Sequence, residues 1–263
     1  MKLVFQLIVI LCCVFSNNTV NASQGATDSL IVVMGEDSFP YQFVDNEGEA
    51  TGLLVDLWKE WGKRTDTSLV FVARHWNESL AQLQQGNAQV HIGMGKTPER
   101  EQLFDFADPI ADVRTYLYLH KSLQGKKNIK ELVPYQIGIV SGSSHEAELR
   151  RIEPALVFKY YESREKLLAG VAAGDTVVFA GLDGYLRDPS SNQTIAANFP
   201  LNIRIPIKAM QFVPAVMKHN TALLNKIKAG FNALDPKFIQ QTERRWLGYH
   251  GQKAGLIVAM QLG

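Results

Sequence analysis

Apolar positions along the chain fall in short continuous runs set between helical stripes, an order that predicts strands alternating with helices. Leu30-Ile-Val-Val-Met34 is apolar throughout and stops at Gly35, as a strand buried on both faces requires. From Gly52 to Thr65, Leu53, Leu54, Leu57, Trp58 and Trp61 share one stripe at helical spacing. Next come a strand over Leu69 to Ala73, a helix over Asn77 to Gln85 with Leu80 and Leu83 facing inward, and a strand over Gln89 to Gly93. Gly86-Asn87 is the stop of that helix. Such β-α-β-α-β order implies a parallel, doubly wound sheet with right-handed crossovers.

The pattern begins again beyond residue 115. Lys121 to Pro134 is polar and basic. Gln136 to Val140 is a strand, Gly142-Ser-Ser144 a turn and His145 to Ile152 a helix. Leu156 to Tyr160, Glu165 to Ala173 and Thr176 to Ala180 repeat the unit, and Asp188 to Gln193 is a loop by its turn residues. Two helices close the chain. Thr221 to Leu234 carries Leu223, Leu224, Ile227 and Phe231 on one face; Asp235-Pro236 starts the other, with Phe238, Ile239 and Trp246. Two successive α/β units without a long linker predict two lobes packed around a cleft.

Composition narrows the function classes. The 263 residues include 27 Lys+Arg against 26 Asp+Glu, with 46% hydrophobic and 20% charged residues, values of a globular chain rather than a disordered or collagen-like one. A net charge of +1 supplies no field for gripping a polyanion, so no nucleic-acid partner is expected.

The N-terminus points to export. Lys2 precedes an apolar run from Leu3 to Phe15, broken only by Gln6, and Val20-Asn21-Ala22 fits a small-residue cleavage site. The run falls short of the roughly 20 residues that span a bilayer. Residues 1–22 are therefore expected to be a signal peptide cleaved near Ala22, with a retained anchor or a buried first helix as the alternative. Cys12 and Cys13 both lie in this run, so beyond it no disulfide, thiol nucleophile or cysteine-bound zinc is expected.

Candidate chemistry is sparse. Thr97-Pro98-Glu99-Arg100 follows a strand end where Gly93 and Gly95 permit close approach. Thr97 is placed to cap a short helix begun by Pro98, and Arg100 offers a planar fork for two carboxylate oxygens. The competing reading pairs Arg100 with Glu99, Asp105 or Asp108 at the surface. Gly142-Ser143-Ser144 is either a second anion cradle or an N-cap. Phe39 and Trp76, at strand-to-helix turns, either stack on a ligand or pack in the core. Asp183 either receives an ammonium group or caps a helix. No G-x-S-x-G, H-E-x-x-H or G-x-x-x-x-G-K-[ST] motif occurs, and the six histidines show no metal-ligand spacing. No metal and no cofactor are expected.

The order of these segments resembles the extracellular solute-binding proteins of family 3, the periplasmic amino-acid receptors of ABC importers. Phe39-Pro-Tyr-Gln-Phe43, Gly48 to Leu57, Trp76 to Gly86, Thr97-Pro-Glu-Arg100, Phe104-Asp-Phe-Ala-Asp-Pro109 and Ile137 to Ser144 carry the likeness, over about residues 28 to 248. The resemblance implies two doubly wound α/β lobes with a ligand cleft between them, the type II periplasmic-binding-protein fold. Lobe 1 is then expected over 24–115 plus 213–249, lobe 2 over 116–212, and a tail over 250–263, with crossings near Thr115 to Tyr118 and Gln211 to Ala215. It implies Arg100 as the clamp of a ligand carboxylate, assisted by the Gly95 and Thr97 amides. Ser144 is implied to reach the same carboxylate from lobe 2, Trp76 and Phe39 to sandwich the side chain, and Asp183 to take the ammonium. Gly93 and Gly95 stand where the family often has serines, and Ala107 and Ile110 depart from its usual Ser and Tyr.

The expected function is capture of a small carboxylate-bearing solute, a polar amino acid, by a monomeric, non-catalytic periplasmic protein that delivers it to an ABC permease. Two alternatives remain at this point. One is a co-receptor for a membrane sensor; the other is a dehydratase acting on a cyclic acid, with Asp37 or Asp183 as general acid.

Overall fold

The structure, a computed structural model, describes residues 29–187 and 193–248. The expected signal peptide, the tail at 250–263 and residues 188–192 of the loop from Asp188 to Gln193 lie outside the described residues.

The chain opens with strand β1 (Leu30–Gly35) and a small antiparallel sheet of β2 (Asp37–Ser38), β3 (Gln42–Val44) and β4 (Ala50–Thr51). Then follow α1 (Leu53–Arg64), β5 (Leu69–Arg74), α2 (Trp76–Gln84), β6 (Val90–Met94), α3 (Pro98–Leu103) and β7 (Phe104–Phe106). A long strand β8 (Ala111–Leu119) leads to β9 (Gln136–Val140), α4 (His145–Ile152), β10 (Val157–Tyr161), α5 (Arg164–Ala172), β11 (Val178–Leu182) and α6 (Gln193–Asn198). The return runs on β12 (Arg204–Met217), followed by α7 (Thr221–Asn232) and α8 (Pro236–Leu247).

The main sheet has the order β10-β9-β11-β8-β12-β6-β1-β5, with β7 also on β12. Its two flanks, β5-β1-β6 and β10-β9-β11, are parallel as the βαβ pattern predicts. Its centre is not. β8 runs antiparallel to β11 and β12, and β12 runs antiparallel to β6. The parallel sheet expected of each βαβ unit is present in each flank, and the sheet as a whole is mixed because the strand that leaves the first lobe and the strand that returns to it lie side by side in opposite directions.

Those two strands join the lobes. Phe212↔Ala111 and Met210↔Val113 pair across them, with a register shift between Ile207 and Met210, and from Val213 onward β12 pairs with β6. Thr115 to Leu119 pair throughout with β11, so the passage on β8 falls nearer Ala111–Val113 than the window read from sequence. β12 escapes a pattern reading because two prolines, Pro206 and Pro214, and exposed Lys208 interrupt its apolar run.

Each lobe has its own packing. In lobe 1, Trp58, Trp61 and Phe231 pack edge-on and tilted at 5.0–6.3 Å between centroids. Both indole N–H groups are satisfied, Trp58 Nε1 donating to Ile92 O at 2.8 Å and Trp61 Nε1 to Ile227 O at 3.1 Å. These contacts clamp α1 and the C-terminal α7 onto β6. Fully burying one such side chain contributes about 1.5–3 kcal/mol. In lobe 2, Leu117, Ile137, Ile139 and Val178 form a separate fully buried group.

Candidate functional site

The carboxyl ends of β1, β6, β9 and β11 meet where the two lobes face each other. A cavity of about 40 Å³ lies there, lined from lobe 1 by Asp37, Ser38, Trp76 and Gly95 and from lobe 2 by Val140, Ser143, Ser144, His145, Leu182 and Tyr185, with Met210 and Phe212 from the joining strand. A wider groove of about 890 Å³ shares Gly95, Ser144, His145 and Met210 with it and opens beside the joining strands past Thr97 and Glu99.

Arg100 is fixed by the local sequence. Thr97 caps α3, its side chain accepting from Arg100 N at 3.3 Å, and Pro98 begins the helix. The Arg100 side chain, 7% exposed, folds inward. Nη1 donates to Gly95 O at 2.6 Å in its own lobe, and Nη2 donates to Gly142 O at 2.7 Å in the other. The guanidinium lies 5.1 Å from the Trp76 ring centroid. Trp76 Nε1 reaches the same Gly142 carbonyl at 3.0 Å. Surface pairing of Arg100 with Glu99, Asp105 or Asp108 is not what the structure has: Asp105 is held by Lys218 and Asp108 by Lys228. Burial pulls the Arg100 pKa down to about 10, which leaves it charged at neutral pH.

Glycines stand on both sides of this contact. Gly142 has φ +70°, and a Cβ there would collide with Asn77 Oδ1 across the gap. A Cβ on Gly95 would run into the Met210 methyl and lie 3.0 Å from Ser144 Oγ, so a larger residue there needs the Met210 side chain to shift.

Two neutral imidazoles flank the guanidinium. Burial and the Arg100 charge lower His91 to about 3 and His145 to about 4. His91 sits behind Trp76, 5.5 Å between centroids, with Ser79 Oγ at 3.2 Å from its Nε2. His145 faces the cavity, and its Nε2 and Ser143 Oγ are buried with no hydrogen-bond partner.

Asp37 supplies the cavity's carboxylate. It reaches across the lobes: its Oδ2 accepts from Arg164 N, at the start of α5, at 3.0 Å. Burial raises its pKa, opposed by that amide and by the Arg164 charge.

Of the residues singled out in sequence, the structure brings Gly95, Trp76 and Ser144 to the cavity wall and puts Arg100 directly behind it. Thr97 lines the outer groove. Phe39, beside the cis Phe39–Pro40 bond, packs edge-on against Phe43 at 5.1 Å instead of facing the cavity. Asp183 is not in the cavity wall: its Oδ1 accepts from Arg204 at 2.7 Å and its Oδ2 from Arg187 at 2.9 Å, an ion-pair centre of lobe 2. Ser143 belongs to the Gly142-Ser143-Ser144 cradle offered by the sequence, whereas Asp37, His145, Tyr185 and Met210 carry no ligand-contact motif there; for Asp37, His145 and Tyr185 the signal is a place just past a strand's carboxyl end, where open α/β sheets bind ligands. Among the described residues no group of three or more His, Cys, Asp or Glu is arranged to hold a metal, and no helix is long and apolar enough to cross a membrane.

Two α/β lobes, joined by paired strands and closing on a buried arginine, define a binding protein of the Venus-flytrap class. Residues 30–249 match the family model of bacterial extracellular solute-binding proteins, family 3, and the chain belongs to that family. It is 25% identical over 193 residues to the amino-acid-binding protein AabA of Dichelobacter nodosus, covering 72% of this chain and 75% of that one. Among solved structures, a histidine kinase sensor domain similar to periplasmic binding proteins superposes with a TM-score of 0.73 at 18% identity, covering 84% and 96% of the two chains. An ancestral arginine-binding protein bound to arginine gives 0.71 at 20%, covering 84% and 98%. At those identities the solved structures speak for the fold.

Proposed function

We propose that this protein captures a small amino acid or related carboxylate between its lobes in the periplasm and hands it to an ABC permease, without catalysing a reaction on it. One observation carries the reading. Arg100 is buried between the lobes and already bridges them, holding one carbonyl on each side. A solute carboxylate taking the place of the Gly142 carbonyl turns a neutral acceptor into a charged one. The guanidinium's bonds, already charge-assisted at roughly 1.5–3 kcal/mol each, then gain the attraction of an opposite charge that a carbonyl lacks. Asp37 is placed to receive the ammonium, since it lines the same cavity and carries the only carboxylate in its described wall. Because Arg100 and Asp37 belong to lobe 1 while Ser143, Ser144 and the α5 amide belong to lobe 2, a bound solute stabilises the closed arrangement by touching both.

The binding names carried by relatives, AabA among them, agree with an amino-acid ligand. Calorimetric titration with amino acids tests the proposal: Arg100→Ala should weaken binding at least tenfold while thermal unfolding stays cooperative. Unchanged affinity in that variant refutes it. Recovery of a membrane sensor rather than a permease by the ligand-loaded protein would overturn the delivery step.

A further inference from the structure

The interlobe cavity and the outer groove share a wall made by Gly95, Ser144, His145 and Met210. Gly95 brings no side chain to it, and Ser144 and His145 are fixed at the start of α4. Met210 is the adaptable member, with an unbranched side chain of three rotatable bonds. Its methyl lies against Gly95, on the side where a Cβ would stand. Its sulfur accepts from Ser144 Oγ at 3.5 Å. The side chain thus reaches from a residue of lobe 1 to a residue of lobe 2 and stands between the two spaces.

The backbone of the joining strand puts it there. β12 shifts its register with β8 between Ile207 and Met210, with Lys208 and Ala209 exposed and Met210 half-buried against the core. The consequence is one of size. A cavity of about 40 Å³ holds on the order of three waters, far below the roughly 300–1,000 Å³ of ordinary ligand pockets, while about 890 Å³ lies on the far side of Met210. Ser143 Oγ and His145 Nε2, in the cavity wall, are buried without a hydrogen-bond partner. A side chain that ends inside the cavity therefore fits best when it ends in a hydrogen-bonding group.

We propose that Met210 is a specificity-determining residue, a flexible partition that keeps the solute out of the groove and so limits the site to amino acids with short side chains. The inference rests on the reading that the lobes close on an amino acid through Arg100, and goes beyond it by assigning the length of the side chain. Separation of the lobes parts Gly95 from Ser144 and releases the Met210 side chain; closure packs it against the far end of the solute.

The experiment is calorimetric titration with L-serine, L-asparagine, L-glutamine and L-citrulline, a series of increasing length with no charge beyond the α-groups. The proteins are the wild type, Met210→Ala, Met210→Val, Met210→Leu and Arg100→Ala. The wild type should bind asparagine at least tenfold more tightly than citrulline. Met210→Ala should raise the ratio of citrulline to asparagine affinity at least tenfold, and Met210→Val should move it the same way. Met210→Leu, close to methionine in volume, should keep the wild-type order. A merely structural loss weakens every ligand alike and leaves that ratio where it was; should Met210→Ala not unfold cooperatively, Met210→Val decides. An unchanged ratio in the folded, shortened variant overturns the partition, as does citrulline bound by the wild type as tightly as asparagine. Failure of the wild type to bind serine and asparagine overturns it too. Where Arg100→Ala still loses the ligands that the wild type binds, such a result spares the function; unchanged binding in Arg100→Ala sinks the function itself.

Discussion

Arg100 and Gly142 stand 42 residues apart in sequence and in different lobes, yet Arg100 Nη2 donates to the Gly142 carbonyl at 2.7 Å. Trp76 Nε1 donates to that same oxygen at 3.0 Å. One backbone carbonyl at a positive-φ glycine thus receives the cation and the indole of the opposite lobe. The relationship ties sequence to function: Gly142 adopts φ +70° because it has no Cβ, the carbonyl consequently faces the gap, and lobe closure is read out by two donors on lobe 1.

Because they share an acceptor, Arg100 and Trp76 should not act independently. In a double-mutant cycle, Arg100→Met and Trp76→Phe should show a coupling of about 1 kcal/mol in the free energy of ligand binding, within the range for residues in one network. Additive losses within a few tenths of a kcal/mol would mean that the shared carbonyl has no part in closure.

Gly184 makes the second close approach between lobes. A Cβ on it would sit 2.5 Å from the Phe39 carbonyl and collide with Pro40 Cδ. The backbone of Phe39 cannot yield as a flexible side chain does, so Gly184→Ala should wedge the lobes apart. Ligand affinity should drop at least tenfold, while the melting temperature without ligand changes by no more than a few degrees, since the added methyl stresses the seam and neither core. Small-angle scattering should show a larger radius of gyration for the variant in the presence of ligand. An equal radius and equal affinity would show that the seam relaxes around the methyl.

What the sequence disclosed and what it hid follow one physical rule. Elements built on local periodicity were legible: the buried run of β1, the stripe of α1 with Trp58 and Trp61, the Thr97-Pro98 start of α3. The cap and helix that carry Arg100 were legible as well, because they are neighbours in the chain. Features made by long-range pairing were not. Asp183 looked free because Arg204 joins it from β12, 21 residues on. Asp37 gains its environment from Arg164 N, 127 residues away. The antiparallel centre of the sheet depends on β8 and β12 lying together, and no local pattern encodes that pairing.

The two aspartates consequently make opposite predictions. Asp37→Asn keeps the shape of the cavity wall and removes the charge that an ammonium would meet, so amino-acid affinity should fall at least tenfold with little change in stability. Asp183→Asn leaves the cavity untouched and strips the counter-charge from Arg204 and Arg187. It should cost roughly 1–3 kcal/mol in denaturant unfolding and leave affinity within a factor of two. Calorimetry and urea titration of the two variants side by side check both halves. Affinity lost in Asp183→Asn and kept in Asp37→Asn would reverse the assignment.

The buried imidazoles fix how stability responds to acid. His91 and His145 are held at about 3 and about 4, below the ordinary 6.5, first by burial and then by the Arg100 charge. Between 6.5 and those values the unfolded chain binds protons that the folded chain does not, so stability rises with pH across that window. Their contribution is complete above about pH 7 and is lost as pH falls toward 4 and 3. Asp37 runs the other way: its raised folded pKa favours the folded state in acid, and that favour is lost as pH climbs through the raised value, so it offsets the histidines only at the acid end. Going from pH 7.5 to pH 5 should therefore cost about 2 kcal/mol of unfolding free energy for each buried histidine. His91→Gln, which keeps a hydrogen-bonding group beside Ser79, should shrink that loss by about the same amount in urea titrations at the two pH values. A wild type equally stable at pH 7.5 and pH 5 would show that neither ring is held neutral beside Arg100.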